Sequence, residues 1–347
     1  MADIRNRNRL TIGMSDRQYI LVTGNGRSGT NWMLDMLNQS ALTHCRNEPN
    51  LIPTSPLHPI TEFCEITKKK PDIADIWDAG AAWTAVNIGE RDPYLTTNKK
   101  FLYPIIGSPK LKNFSLRLKR NKYVRTLIPW LRQSEWPLPL WAGNRNKFQQ
   151  AIPVFKIINQ DPRNIIWLLE NRSDVSMVHI IRHPAGRLYS WLTRYVPTKN
   201  TNDLLSINKS RLHNLNKIDP EWSENIDNID NMSLIEAEVW LWRYTNEKIH
   251  QLGRQHTHYK CVIYEELIQD PLEVAENIYD FCNIPFNNEI KEKISKRLGR
   301  SVWGDLSGTP HSVADAWKSN LSAREIDTVN HILESSLMRY WWSAIKN

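Results

Sequence analysis

Cysteine is scarce in this chain. Four occur in 347 residues, Cys45, Cys64, Cys261 and Cys282, scattered without the spacing of a metal-ligand pair. That pattern speaks against a disulfide framework or a Cys-based metal site and leaves reduced, mostly buried thiols. Long apolar runs are missing as well, so no segment reaches the roughly 20 residues a membrane-spanning helix needs. The first ten residues, MADIRNRNRL, carry charge but no apolar stretch of the secretory kind. A cytoplasmic location is the resulting expectation. Internal repeats and long low-complexity linkers are absent too. With 41% hydrophobic and 24% charged residues, the chain reads as one globular domain over 1–347, with a core at about 18–325.

Acidic residues are nearly missing from one stretch. Between Lys99 and Lys147 there are 12 Lys and Arg against the single acid Glu135, a net +11 inside a chain of net +8. Phe114, Tyr123, Trp130, Trp136 and Trp141 are interleaved with these bases. Such a patch suits an anionic or sugar-like acceptor, a membrane surface or nucleic acid. The alternative is a solvated basic helix over Lys110 to Arg132 whose aromatics pack on the main domain. Thr198 to Met232 is also short of apolar residues and rich in asparagine, which marks it as a lid candidate (198–232) or an excursion from the domain.

The chemistry starts at Tyr19 to Trp32, YILVTGNGRSGTNW. Tyr19 to Thr23 is an apolar, β-branched run of the kind that makes a buried strand. Gly24 to Thr30 turns, and Met33, Met36 and Leu37 continue at helical spacing. Strand, glycine-rich turn and helix N-terminus together make an anion site, because backbone N–H groups and the positive end of the helix dipole converge there. What this loop lacks is as telling. Gly24 and Gly29 have the spacing of the nucleotide-triphosphate loop G-x-x-x-x-G-K-[ST], but Thr30 stands in the place of the lysine and Asn31 in the place of the Mg²⁺-binding hydroxyl. Two parts used in phosphoryl transfer are therefore missing, while Arg27 supplies a cation within the turn.

Further along, Ala41 to Pro49 contains a short strand ending at Glu48-Pro49. A carboxylate at a strand's carboxyl end faces the ligand crevice of a doubly wound sheet. His44, His58 and Glu62 are nearby substitutes. Ile152 to Ile158 and Met177 to Ile181 are strands, each followed by a helix. Arg182 closes the second, and Ser190 lies eight positions on. A planar guanidinium can take two phosphate oxygens while the hydroxyl donates to a third. Leu234 to Leu252 forms a long helix, Lys260 to Tyr264 a strand, and Pro271 opens another helix. The segments Y-E-E-L-x-x-D-P (264–271) and W-K-x-x-L (317–321) complete the set.

R-S-G-T-x-W after a strand closely resembles the 5′-phosphosulfate loop of sulfotransferases that use 3′-phosphoadenosine 5′-phosphosulfate (PAPS). The Arg-x7-Ser element, Y-E-E-L-x-x-D-P and W-K-x-x-L resemble later segments of that family, in the same order. The resemblance is to the bacterial and carbohydrate type, where a Glu-Pro after the first loop supplies the catalytic base. It implies a P-loop-like three-layer α/β/α fold, with a mainly parallel sheet and helical inserts, and transfer of a sulfuryl group from PAPS to a hydroxyl, with an amine as second choice. It further implies adenosine 3′,5′-bisphosphate (PAP) as product and no metal. By position, Arg27 and Glu48 would be catalytic, and Arg27, Ser28, Gly29, Thr30, Asn31, Trp32, Arg182 and Ser190 would hold the nucleotide. Asn31 departs from the threonine common there, which removes one hydroxyl contact. Arg300 and Lys318 are further phosphate candidates. The acceptor would be a small molecule or glycan, with an anionic one favoured by the basic insert; nucleic acid is not expected. Two other classes compete: a P-loop kinase or NTPase, and a non-catalytic polyanion binder acting through 99–147.

Overall fold

A computed structural model describes residues 18–52, 55–58, 73–89, 99–103, 135–138, 140, 142–298, 300–301, 304–305 and 310–341. Most of the basic insert, including Lys110 to Arg132, lies outside the described residues, as does Glu62. Five parallel strands form the main sheet. They are β1 (Tyr19–Gly24), β2 (Thr43–Asn47), β3 (Ile152–Ile158), β4 (Val175–Ile181) and β5 (Tyr259–Ile263), in the spatial order β2-β3-β1-β4-β5. Every residue of β1 and β4 is buried, as expected where helices cover both faces of a parallel sheet.

Successive side chains of β1 enter different cores. Ile20 and Val22 pack with Met33, Leu34, Leu37, Leu267, Ile278 and Tyr279 on one face. Tyr19 and Leu21 pack with Phe155, Ile157, Ile165, Leu168 and Ile249 on the other. That split is the three-layer α/β/α arrangement, with a period of two along the strand deciding which layer each residue joins.

The helices begin where the sequence places their signals. Helix α1 (Thr30–Asn38) follows the loop after β1. In α2 (Pro162–Asn171) the Asp161 carboxylate accepts from Arg163 N at 2.9 Å, and in α3 (Pro184–Tyr195) His183 Nδ1 accepts from Ala185 N at 3.2 Å. The asparagine-rich stretch contains a long helix: α4 (Thr201–Ile218) is capped by Asn200. It packs through Leu212 and Leu215 into a cluster with Trp222, Ile226, Ile229, Leu241 and Tyr244. The long helix α5 (Leu234–Gly253) opens with a capping box of Ser233 and Glu236. Helices α6 (Tyr264–Gln269) and α7 (Pro271–Phe281) follow β5, and α8 (Ala323–Glu334) comes last. Between them, Arg300–Ser301 and Gly304–Asp305 pair antiparallel. Among the described residues no helix is long and apolar enough to cross a membrane.

One buried histidine ties acid stability to this fold. His179 on β4 is fully enclosed, and burial pushes its imidazole down to about 3, against the opposing effect of its hydrogen bond to Asn246. An unfolded histidine titrates near 6.5. Its stabilising effect is thus complete above pH 6.5 and is lost as pH falls from 6.5 towards 3. Between pH 6.5 and 4.5 one such group removes about 2–3 kcal/mol. Urea unfolding across that range should show the loss in the wild type and a flatter dependence, by about one proton, in His179→Gln. Parallel curves would contradict the assignment.

Candidate active site

The loop between β1 and α1 is held in a shape few side chains tolerate. At Gly29, φ is 92°, and a Cβ there would stand 2.4 Å from the Tyr264 ring. At Gly24, φ is 146° and the obstacle is the Ile180 carbonyl, also at 2.4 Å. Arg27 sits in the left-handed region at φ 76° despite its side chain, a cost that the surroundings must offset. Those surroundings are specific. Ser28 N bonds Asn25 O at 3.2 Å, Gly26 N donates to Asn159 Oδ1 at 2.7 Å, and Arg187 Nε donates to Gly26 O at 3.1 Å. Arg187 is buried and ion-paired with Glu238 of α5, whose other oxygen accepts from Asn208 of α4 at 2.6 Å. Helix α1 starts without a side-chain cap, leaving its leading N–H groups for an anion.

Arg182 and Ser190, some 160 residues later, come to this same loop. Arg27 Nε donates to Ser190 Oγ at 3.0 Å, and Arg182 Nη1 donates to Arg27 O at 3.2 Å. Arg182 is buried with its guanidinium 4.6 Å above the Tyr264 ring, and Nη2 reaches Val313 O at 2.9 Å. Its Nε and the Ser28 hydroxyl are buried without a hydrogen-bond partner among the described residues. Such unmet donors inside a folded chain mark a place where a polar ligand is at home. The Y-E-E-L segment lies against this loop. Tyr264 seals the loop at Gly29, and Glu265 Oε1 accepts from His183 N at 3.0 Å. His183 stacks on Trp317 with centroids 4.6 Å apart, which brings the W-K-x-x-L segment to the same corner. Lys318 forms an exposed ion pair with Asp315 at 2.7 Å. Trp32 is partly buried against the core and meets Tyr264 edge-on at 6.4 Å.

Glu48 lies on the other side of the loop, at the carboxyl end of β2. Its φ of 50° turns the chain into a short 3₁₀ segment begun by Pro49. The residue that organises this corner is Lys156, in the middle of β3 and only 2% exposed. Its Nζ reaches Glu48 Oε1 at 2.7 Å, Asn47 Oδ1 at 2.8 Å and Asn31 Oδ1 at 2.5 Å. Three ammonium protons meet three oxygens, so the charge is both neutralised and fully hydrogen-bonded. Asn31 belongs to the first turn of α1; Lys156 therefore joins the anion loop to Glu48. Sequence reasoning passed over this lysine, although a charge inside I-P-V-F-K-I-I is a signal, because a buried ammonium must find partners. Of the substitutes for Glu48, His44 is buried against Phe148 and Phe101, with centroids 4.6 and 5.8 Å away, and His58 is exposed with Nδ1 3.0 Å from Asn50 O.

The fold is that of an α/β protein of P-loop-like architecture with an arginine-bearing, glycine-rich loop between β1 and α1. The chain belongs to the sulfotransferase domain family, whose model matches residues 17–301. No curated protein matches it. Among solved structures, the sulfotransferase domain from the curacin biosynthetic pathway is 13% identical with a TM-score of 0.43, covering 91% of this chain and 97% of that one. Mouse sulfotransferase SULT7A1 complexed with PAP is 11% identical with a TM-score of 0.44, covering 94% and 89%. A sulfotransferase from Alicyclobacillus acidocaldarius is 11% identical with a TM-score of 0.37, covering 94% and 99%.

The Lys156 arrangement makes its own prediction. Lys156→Met removes the ammonium on which three oxygens converge and should destabilise the protein by about 3 kcal/mol, the low end for a broken buried pair since Glu48 keeps some solvent. Adding Glu48→Gln should recover part of that loss. Chemical denaturation of both variants checks this, and a change below about 1 kcal/mol for Lys156→Met would show that the pair is not formed.

Proposed function

We propose that this chain moves a sulfuryl group from PAPS to a hydroxyl, with an amine as second choice, using Glu48 as general base. The observation that carries the reading is the Lys156 bridge, which sets a carboxylate beside the first turn of the anion loop. The donor-side residues suit a nucleotide with phosphates at both ends. Arg27, the Ser28 hydroxyl and the N–H groups of Gly29 to Asn31 form one anionic subsite, to which Thr30 adds its hydroxyl, while Ser28 N is taken by Asn25 O. Arg182 and Ser190 form the other. The contact between Arg27 and Ser190 at 3.0 Å supports reading the two as neighbouring subsites for one small ligand. PAPS, when bound, supplies the activated sulfuryl group.

The chain's own residues then have separable tasks. Arg27 and the loop N–H groups stabilise negative charge on the oxygen that departs. Glu48 accepts the acceptor's proton on its carboxylate, and Lys156 holds that carboxylate in place. Asn31, where a triphosphate loop would have a hydroxyl for Mg²⁺, is instead a partner of Lys156. That use of the position favours sulfuryl over phosphoryl transfer. The basic insert makes an anionic small molecule or glycan the favoured acceptor.

Incubation with radiolabelled PAPS and a library of hydroxyl and amine acceptors tests the reading. Label should pass to at least one acceptor. Glu48→Gln, which keeps shape but takes no proton at neutral pH, should slow that transfer by roughly 10²–10⁴-fold while PAP affinity stays near wild type. Transfer at close to the wild-type rate would show Glu48 to be structural.

A further inference from the structure

Beneath the anion loop runs a chain of buried polar side chains that the proposed chemistry does not use. Asn246 of α5, fully buried, donates Nδ2 to Asn25 Oδ1 at 2.7 Å and to Trp242 O at 2.8 Å. A backbone carbonyl only accepts, so the amide nitrogen of Asn246 must face Trp242 and Asn25, and its oxygen must face His179. His179 Nε2, 3.1 Å from that oxygen, is then the protonated nitrogen, and Nδ1 accepts from Tyr259 Oη at 2.8 Å. His250 Nδ1 stands 3.3 Å from the same hydroxyl and donates to it. The direction is therefore fixed along the whole line: His250 to Tyr259 to His179 to Asn246 to Asn25. Burial holds His179 neutral down to about pH 3, so the line keeps its sense across the working range of an enzyme.

Asn25 is the residue on which this line ends, and it begins the turn whose next two positions matter. Its carbonyl accepts from Ser28 N, so rotation at Asn25 would displace Gly26, Arg27 and Ser28 together. Arg27 already holds an unfavourable φ of 76° and needs a fixed anchor on its N-terminal side.

We propose that Asn246 is a positioning residue that sets the loop through Asn25, with His179 and Tyr259 orienting its amide. The proposal rests on the reading of this loop as the phosphosulfate site. Asn246 touches no reacting group. Its effect on rate would come through the placement of Arg27, where a displacement of about 1 Å can cost on the order of 10²-fold.

The test compares Asn246→Leu, Asn25→Ala and the double variant with the full-length wild type. Without ligand, Asn246→Leu should speed amide hydrogen exchange in segment 24–31 by about tenfold or more, the equivalent of one lost hydrogen bond, with little change elsewhere in the sheet. Asn25→Ala, which leaves α5 untouched, should loosen the same segment, and the double variant should be no worse than either. In turnover, kcat should fall by about 10–100-fold in each, while PAP affinity, resting also on Arg182 and Ser190, changes by less than about threefold. Normal exchange at 24–31 in Asn25→Ala overturns the proposal, even if Asn246→Leu does not fold. Losses that add in full in the double variant, or that lower kcat and PAP affinity alike, also overturn it by showing a general structural role. Should the wild type neither bind PAP nor transfer sulfuryl groups, the functional reading fails, and the exchange comparison still decides whether Asn246 positions the loop.

Discussion

An ammonium group buried in the middle of a parallel sheet is the constraint on which this site depends. Lys156 sits between apolar neighbours on β3, where an unpaired charge would cost several kcal/mol. It persists because Glu48, Asn47 and Asn31 each present an oxygen within 2.8 Å. Those three residues come from a strand end, the turn after it and the first turn of a helix, so one lysine fixes the relative placement of all three. Register does the rest. Asn47 lies opposite Lys156 in the β2–β3 ladder, and a slip of one residue would turn the lysine to the other face of the sheet. The pairing that makes the buried charge tolerable also holds the Glu48 carboxylate beside the first turn of α1.

The loop itself is strained and is held from several directions. Asn159 takes the Gly26 N–H, Arg187 takes the Gly26 carbonyl, and Tyr264 closes over Gly29. Arg187 in turn draws on Glu238 and Asn208, so helices α4 and α5 contribute to a turn far from them in sequence. Rigid support of this kind is what electrostatic stabilisation of a departing group needs, since donors already in place cost no reorganisation during reaction.

Much of this was legible beforehand, for physical reasons. The β1 strand, its glycine turn and α1 are local features, and Arg182 with Ser190 follows a strand-to-helix pattern that can be read without tertiary information. Glu48 could be placed at a strand's carboxyl end by the same logic. Lys156 was not singled out, because its partners lie on three other segments and its surroundings look like an ordinary apolar strand. The helix within Thr198 to Met232, a stretch whose composition marks it as a lid candidate or an excursion, is not legible because its many asparagines mask the periodicity. Leu204, Asn208, Leu212 and Leu215 form a buried helical stripe, and the buried Asn208 that breaks its apolar character has Glu238 as partner. Asn246 was hidden similarly: a polar residue on the buried face of a helix gains meaning only when the loop it supports is in place.

The central claim is that two distant basic elements, Arg27 with its loop and Arg182 with Ser190, read one nucleotide carrying phosphates at both its 5′ and 3′ positions. Titration calorimetry of PAP against AMP addresses it most directly, since the two ligands differ only in the 3′-phosphate. PAP should bind the wild type at least tenfold more tightly, and Arg182→Ala should remove most of that preference, a charge-assisted contact being worth about 1.5–3 kcal/mol. Equal affinity of the wild type for PAP and AMP would contradict the account.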